Sequence, residues 1–252
     1  MTDCINLLLS KKKETALLYM GQAGFVIKSK SGQLLAIDLY LSDCVEQFEG
    51  HVGFKRLIPA VAEAENLHPD VIIATHQHLD HFDKIAIPVM MQKGNSKLFA
   101  SVDCRQFEEC LGENRKVQYV NPGDVFTEGD FYIRFINCDH GDAAPDAVGV
   151  IIEVDGKRIC EIGDSRLHLD WVNEYLSLGK IDVLIGPING KFGNMDAKDF
   201  ALLSEKISPK IAIPCHFGMF ASHGGNPEMF MEEMNRKKLN YTFMTVGEAR
   251  LI

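Results

Sequence analysis

Potential metal ligands are concentrated directly after one apolar run of the chain. Val71–Thr75 is continuously apolar and rich in β-branched residues, which is typical of a strand buried on both faces. The next six residues read His76-Gln77-His78-Leu79-Asp80-His81, and four of them are potential ligands. Their side chains would diverge on a regular strand, but they can converge on a tight loop. Imidazole and carboxylate groups suit Zn²⁺, Mn²⁺ or Fe, so this segment predicts a metal site.

Three more ligand-type residues lie far away in sequence but in similar local settings. His140, Asp164 and His216 each come just past a predicted strand and close to a glycine, which permits an unusual turn. A single histidine at a strand end is most often an ordinary residue. Ends of strands in one sheet collect functional groups, however, and together with the first cluster these residues predict one shared site.

The elements that must position these residues alternate along the chain. The predicted strands are Ala16–Met20, Gly24–Ser29, Gln33–Asp38, Val71–Thr75, Lys97–Ser101, Val117–Val120, Phe131–Cys138, Ala147–Val154, Arg158–Ile162, Asp182–Gly186, Ile211–Cys215 and Tyr241–Thr245. Helices are predicted at 54–66, 103–111 with Asp103 as N-cap, 170–178, 196–207 and 227–238. Each half is thus a hairpin-rich section followed by alternating helices and strands. This order predicts a single α/β domain over residues 1–252, a four-layer α/β/β/α sandwich.

Composition narrows the class of protein. A net charge of -9, with only short basic runs, argues against a surface for long nucleic acids. The seven cysteines are scattered without a CxxC pair, as expected for reduced thiols in the cytoplasm. The apolar stretch from Ile5 to Leu9 is too short for a signal peptide or a membrane span, so no membrane association is expected.

The ligand set resembles that of the metallo-β-lactamase superfamily in order and approximate spacing. By this resemblance one metal would be bound by His76, His78 and His140. A second would be bound by Asp80, His81 and His216, with Asp164 bridging the two. The segments Gly24–Ile27 and Ile37–Ser42 are similar to the opening hairpin of that family, so the resemblance covers nearly the whole chain.

A narrower resemblance lies in the last third of the chain. Gly186–Met195 and Ile213–Ala221 are similar to L-ascorbate-6-phosphate lactonases of the UlaG-like branch. That resemblance implies a cytoplasmic homo-oligomer with one or two divalent ions per chain, Mn or Zn, acting on a small phosphorylated substrate. The chain is shorter than typical members of that branch, which leaves the exact substrate open.

The expected reaction is opening of the lactone of a phosphorylated sugar acid by a hydroxide that the metals generate. Asp80 is the candidate for orienting the water and passing its proton to the leaving group, unless it acts purely as a ligand. Candidate contacts to the phosphorylated substrate are Asn189, Lys191, Arg166, His223 and Asn226. Two alternatives stay open at this point: a metallophosphodiesterase acting on nucleotides or RNA, and a metal-binding sensor without catalysis.

Overall fold

The computed structural model describes residues 3–92, 95–113 and 115–252, and its strands form two sheets. The first sheet contains β1 (Ala16–Gly21), β2 (Gly24–Lys28), β3 (Leu34–Ile37), β4 (Val71–Ala74), β5 (Lys97–Ser101), β6 (Lys116–Val120) and β13 (Ala249–Leu251). Their spatial order is β13-β1-β2-β3-β4-β5-β6. Strands β3 to β6 pair in parallel, and the other neighbours pair antiparallel.

The second sheet is mixed in the same way. It contains β7 (Val125–Glu128), β8 (Phe131–Asn137), β9 (Val148–Val154), β10 (Lys157–Glu161), β11 (Val183–Pro187) and β12 (Ile211–Cys215). The spatial order is β12-β11-β10-β9-β8-β7. Strands β10, β11 and β12 pair in parallel, while β7 to β10 form antiparallel hairpins.

Helices cover the outer face of each sheet, except α2, which packs beside the cleft described below. They are α1 (Asp3–Ser10), α2 (Cys44–Glu49), α3 (Ala86–Gln92), α4 (Val172–Tyr175), α5 (Ala197–Ile207) and α6 (Pro227–Lys237). Shorter 3-10 helices lie at Gly50–Val52, Ala64–Asn66, Gly141–Ala143 and Leu169–Trp171, and a longer one at Val102–Leu111. Within the described residues, no helix is long and apolar enough to cross a membrane.

Alternate residues of the buried strands face two different cores. In β1, Leu17 and Tyr19 pack in the core between the sheets, whereas Leu18 and Met20 face the outer helices. The core between the sheets also contains Phe135 of the second sheet. The other face of that sheet packs against α4, α5 and α6. Both faces of both sheets are therefore buried, and the predicted four-layer α/β/β/α sandwich is confirmed.

Strand direction brings distant residues to shared edges. In the first sheet β1, β3 and β4 run in the same direction, so Gln22, Asp38 and His76 follow strand ends on one edge. In the second sheet β8, β10 and β12 also share a direction. His140, Asp164 and His216, which follow these strands, consequently lie along one edge as well.

In the first half, one predicted helix is wrong, and another is present with a different helix type and N-cap. Residues 54–66 contain only the short 3-10 turn at Ala64–Asn66. Pro59 interrupts the segment, and the Arg56 guanidinium is held instead by the carbonyls of Tyr40 and Ser42. The predicted helix 103–111 is a 3-10 helix that begins at Val102, so its N-cap is Ser101 rather than Asp103.

In the second half, the expected helix 170–178 is limited to α4, and Tyr241–Thr245 is not a strand. Tyr241 forms only one bridge, to Ala212. Two helix starts agree well with the sequence. Asp196 caps α5 through a capping box, and Asn226 caps α6 by accepting the backbone N–H of Met229 at 2.9 Å.

Candidate metal centre

Asp38 fixes the loop that carries the histidine segment. It follows β3 in a left-handed conformation with φ 46°. Its Oδ1 accepts the backbone N–H of Thr75 at 2.8 Å, and its Oδ2 accepts the Thr75 hydroxyl at 2.6 Å. The same Oδ2 lies 2.7 Å from Nδ1 of His81. One buried carboxylate therefore holds both the start of the loop and one of its imidazoles.

These hydrogen bonds determine which ring nitrogens face the cavity. An ionised carboxylate can only accept, so Nδ1 of His81 donates to Asp38 and its Nε2 points into the site. Thr75 gives its proton to Asp38 and therefore accepts from Nδ1 of His76 at 3.1 Å. The Nε2 atom of His76 is left with a free lone pair. A metal-binding histidine usually donates the N–H of its other ring nitrogen to such an acceptor, which fixes the orientation of the ring.

A first cluster joins His76 and His78 of the loop with His140 after β8. Nε2 of His76 lies 3.0 Å from Nδ1 of His78, which lies 3.1 Å from Nε2 of His140. One ligand atom from each residue falls within 4.8 Å of the others. The structure thus brings together the three residues that the sequence predicts for the first metal.

Asp164 lies between this cluster and the next. It follows β10 through Gly163, whose φ of 73° is favoured by glycine. Its Oδ2 is 3.0 Å from Nε2 of His216, 3.5 Å from Nε2 of His81 and 3.8 Å from Nε2 of His140. The amide of Asn194 donates to the same oxygen at 2.8 Å. This placement is compatible with the predicted bridging role.

A second cluster contains Asp80, His216 and His223. Nε2 of His216 lies 3.4 Å from Oδ2 of Asp80 and 3.1 Å from Nε2 of His81. The rings of His216 and His223 stack with centroids 4.6 Å apart. His81 is therefore adjacent, as the sequence predicts, while His223, predicted as a substrate contact, lies among the potential ligands.

Gln22 completes this second cluster and was not identified from the sequence. Its Nε2 donates to Oδ2 of Asp80 at 2.7 Å and lies 2.8 Å from Nδ1 of His223. Gln22 has φ 55° in the turn between β1 and β2. The only sequence signal was the glycine-flanked turn Gly21–Gly24, which by itself indicates a hairpin and not a site.

Burial and mutual charge shift the pKa of several groups in the site. Burial lowers the pKa of His140 to about 4 despite Asp164, and burial together with His216 lowers the pKa of His223 to about 4. Burial also opposes protonation of His216, but the carboxylates of Asp164 and Asp80 raise its pKa to about 9. Although burial raises the pKa of Asp80, the neighbouring His81 and His216 hold it well below its usual range.

The donor set fits a divalent cation. Buried carboxylates that stay ionised require a positive partner, and several imidazole nitrogens with lone pairs converge on the same space. Oδ1 of Asp164 is buried and has no hydrogen-bond partner among the described residues. Histidine and aspartate in two adjacent groups are the ligands that Mn²⁺ and Zn²⁺ accept. The residues of the two clusters are therefore suited to hold one or two such ions.

The cleft above these clusters has a volume of about 760 Å³. Besides His78, His140, Asp80, Asp164, His216 and His223, it is lined by Val45, Phe48, Glu49, Val52, Phe54, Gln77, Leu79, Gln106, Phe107, Ala143 and Phe192. His76 and His81 lie beneath it, fully or nearly fully buried. Potential ligands thus form its floor and largely apolar side chains form its walls.

Four of the predicted substrate contacts do not line this cleft. The Lys191 ammonium donates to the Ser222 carbonyl at 2.7 Å, and Arg166 pairs with Asp139 at 3.3 Å. Asn226 uses its side-chain oxygen to cap α6. Asn189 is buried after β11, with its Nδ2 3.5 Å from the Lys191 carbonyl. His223 is the one predicted contact that faces the cleft.

A family model described as a beta-lactamase superfamily domain matches residues 16–216. A relative named a UPF0173 metal-dependent hydrolase, from Herpetosiphon aurantiacus, is 27% identical over 249 residues, covering 93% of this chain and 97% of the relative.

Two solved structures are similar in fold. A metallo hydrolase from Ignicoccus hospitalis has a TM-score of 0.71 at 20% identity, covering 94% of this chain and 98% of that one. An isothiocyanate hydrolase from Delia radicum gut bacteria has a TM-score of 0.74 at 16% identity, with coverage of 94% and 98%. The solved structures show that this chain has the metallo-β-lactamase fold. Because the family model matches most of its length, the chain belongs to the β-lactamase superfamily.

Proposed function

We propose that this chain is a metal-dependent hydrolase that cleaves a carboxylic ester, with a lactone as the first candidate substrate. The observation that carries the proposal is the convergence of His76, His78, His140, Asp80, Asp164, His81 and His216 at the floor of one cleft. The name of the Herpetosiphon relative agrees with metal-dependent hydrolysis.

Residues on both sheets would share the binding of the ions. We assign one ion to His76, His78 and His140, and a second to Asp80, His216, His81 and His223, with Asp164 between them. Divalent ions bound there would lower the pKa of a water to about 7 and stabilise negative charge on the attacked group. Mn²⁺ and Zn²⁺ are the first candidates, because imidazole and carboxylate ligands suit both.

Asp80 is the candidate for proton transfer. Its side chain is 12% exposed and lines the cleft, whereas its Oδ2 accepts the amide of Gln22. A carboxylate whose pKa lies well below the usual range accepts a hydrogen bond from water at neutral pH. It can thereby orient the attacking water and pass a proton to the leaving alkoxide. A purely ligating Asp80 is the alternative role.

The phosphate of a sugar-acid phosphate needs its own donors, because the lactone carbonyl and not the phosphate would occupy the reacting position. Among the described residues that line the cleft, none is a lysine or an arginine. The lining of the cleft therefore supports a lactone substrate more than it supports a phosphate group on that substrate.

The test is hydrolysis by protein that has been stripped of metal and reloaded with Mn²⁺ or Zn²⁺. We expect reloaded protein to open L-ascorbate 6-phosphate or a simple neutral lactone, and His76→Ala to lose this activity at least a thousandfold. His68→Ala, at an exposed histidine, is the control. Turnover of a phosphodiester alone would overturn the lactonase proposal. Sedimentation of the same protein tests the homo-oligomer that the resemblance implies.

A further inference from the structure

The walls of the cleft are apolar where they approach solvent. Phe48 and Val52, from α2 and the following 3-10 helix, are 56% and 57% exposed, and Phe192 is 55% exposed. All three line the cleft. Large apolar side chains exposed together at the mouth of a cleft commonly mark a surface that a ligand covers.

An aromatic group of residues connects this mouth to the second cluster. The ring of Phe54 lies 5.7 Å from Phe192 and meets the ring of His223 edge-on at 5.3 Å. Phe192 lies 5.5 Å from His223. A molecule whose reacting carbon lies beside Asp80 and His216 would therefore place its neighbouring group against Phe54 and Phe192.

The charges around the cleft favour an uncharged ligand away from the floor. Apart from Asp164 and the members of the two clusters, Glu49 is the one charged side chain among the described lining residues. Its carboxylate would repel a phosphate. The Lys84 ammonium lies 4.0 Å from the centroid of the Phe48 ring, but Lys84 does not line the cleft.

The remaining polar side chains of the cleft are already bonded. Gln106 donates its side-chain amide to the side-chain oxygen of Gln77. The amide of Gln77 donates in turn to the Ala143 carbonyl at 2.6 Å. A phosphate would compete with these acceptors for the amide N–H groups, whereas an apolar group would not.

We propose that the substrate carries an uncharged apolar group, aromatic or branched aliphatic, next to the carbon that is hydrolysed. This inference rests on the proposed hydrolase function and specifies its substrate class. Phe48, Phe54 and Phe192 act as specificity-determining residues by covering that group. Their rings can bury apolar surface of the ligand without a loss of hydrogen bonds.

The experiment compares α-phenyl-γ-butyrolactone, whose phenyl group is on the carbon next to the lactone carbonyl, with γ-butyrolactone and L-ascorbate 6-phosphate as substrates of the Mn²⁺- or Zn²⁺-loaded protein. We expect kcat/KM for the phenyl lactone to exceed that for the unsubstituted lactone by at least tenfold. Phe48→Ala and Phe192→Ala should each reduce this preference by about fivefold, mainly through KM. Val52→Ser should weaken it, whereas Val125→Ser, at a valine exposed on β7, should not.

Binding of the same compounds to metal-stripped protein, measured by NMR titration, separates the two proposals. Binding of the phenyl lactone that depends on Phe192, without turnover of any lactone, would support the apolar subsite and contradict the lactonase proposal. A lower KM for L-ascorbate 6-phosphate than for the phenyl lactone, lost in Lys84→Gln, would overturn the apolar subsite while the hydrolase stands. Equal kcat/KM values for the two neutral lactones would also overturn it.

Discussion

Nδ1 of His81 lies 2.7 Å from Oδ2 of Asp38, and both side chains are completely buried. Asp38 follows β3 and His81 ends the histidine loop after β4, so this contact links neighbouring strands of the first sheet. The carboxylate fixes the ring, so Nε2 of His81 points toward Asp164 and His216. It also increases the basicity of that nitrogen.

Replacing Asp38 tests this support. Asp38→Asn keeps the size of the side chain and tolerates its left-handed backbone, but weakens the bond to His81. We expect the affinity for the divalent ion to fall about 10- to 100-fold. Competition with a chelator measures it. Asp70→Asn, which alters a carboxylate bonded to the backbone N–H of Leu34, is the control; an equal loss there would attribute the effect to folding.

Substitution of His223 tests whether this residue binds a metal ion or contacts the substrate. If it belongs to the second cluster with Asp80 and His216, His223→Ala should bind one divalent ion less tightly while retaining the other. Elemental analysis after dialysis against a limiting metal concentration gives the result. Normal binding of both ions with a raised KM would instead support the substrate contact that the sequence predicts.

Phe99 connects the two sheets. It is fully buried on β5, and its ring centroid lies 4.9 Å from that of Phe126 and 6.0 Å from that of Phe135 in the second sheet. Phe99→Ala should lower the free energy of unfolding by about 3–5 kcal/mol, because a cavity remains between the sheets. Urea unfolding measures it. Val125→Ala, at an exposed position, should change it by less than about 0.5 kcal/mol.

Asp182 provides a pH-dependent contribution to stability away from the metal centre. Burial raises its pKa, but hydrogen bonds from Lys210 and the backbone N–H of Arg158 lower it below the ordinary 3.8. The ionised carboxylate therefore stabilises the fold above pH 3.8, and this stabilisation is lost as the pH falls through the lower folded-state pKa.

The free energy of unfolding of metal-stripped wild type should accordingly exceed that of Asp182→Asn at neutral pH, and the difference should shrink below pH 3.8. Urea unfolding across this range measures the difference, and the stripped protein excludes a contribution from metal release. A difference that stays constant with pH would show that the Asp182 carboxylate does not titrate differently in the folded state.

Much of the candidate site was predictable because its residues follow strands. The ends of parallel strands share an edge, so His76 after β4 and His216 after β12 meet once the two sheets pack. Gln22 could not be predicted in the same way. Its turn is an ordinary hairpin in sequence, and its approach to Asp80 depends on where the whole sheet places that turn.

The errors in secondary structure have tertiary causes. The segment 54–66 has apolar spacing compatible with a helix, but Pro59 and the bonds of Arg56 to the carbonyls of Tyr40 and Ser42 fix an irregular path. Tyr241–Thr245 has the composition of a strand, yet only Tyr241 forms a bridge. In both segments the secondary-structure propensity of the residues reflects only a local preference. Contacts with residues distant in sequence determine the observed backbone conformation.

The location of bound ions tests the central claim most directly. Crystals of the protein grown with Mn²⁺ or Zn²⁺ should give anomalous scattering peaks among His76, His78 and His140 and among Asp80, His216 and His223, with Asp164 between them. Asp164→Ala should weaken both peaks relative to the unaltered protein. If neither cluster shows a peak under saturating metal, or if peaks lie only elsewhere, the assignment of a two-ion centre is contradicted.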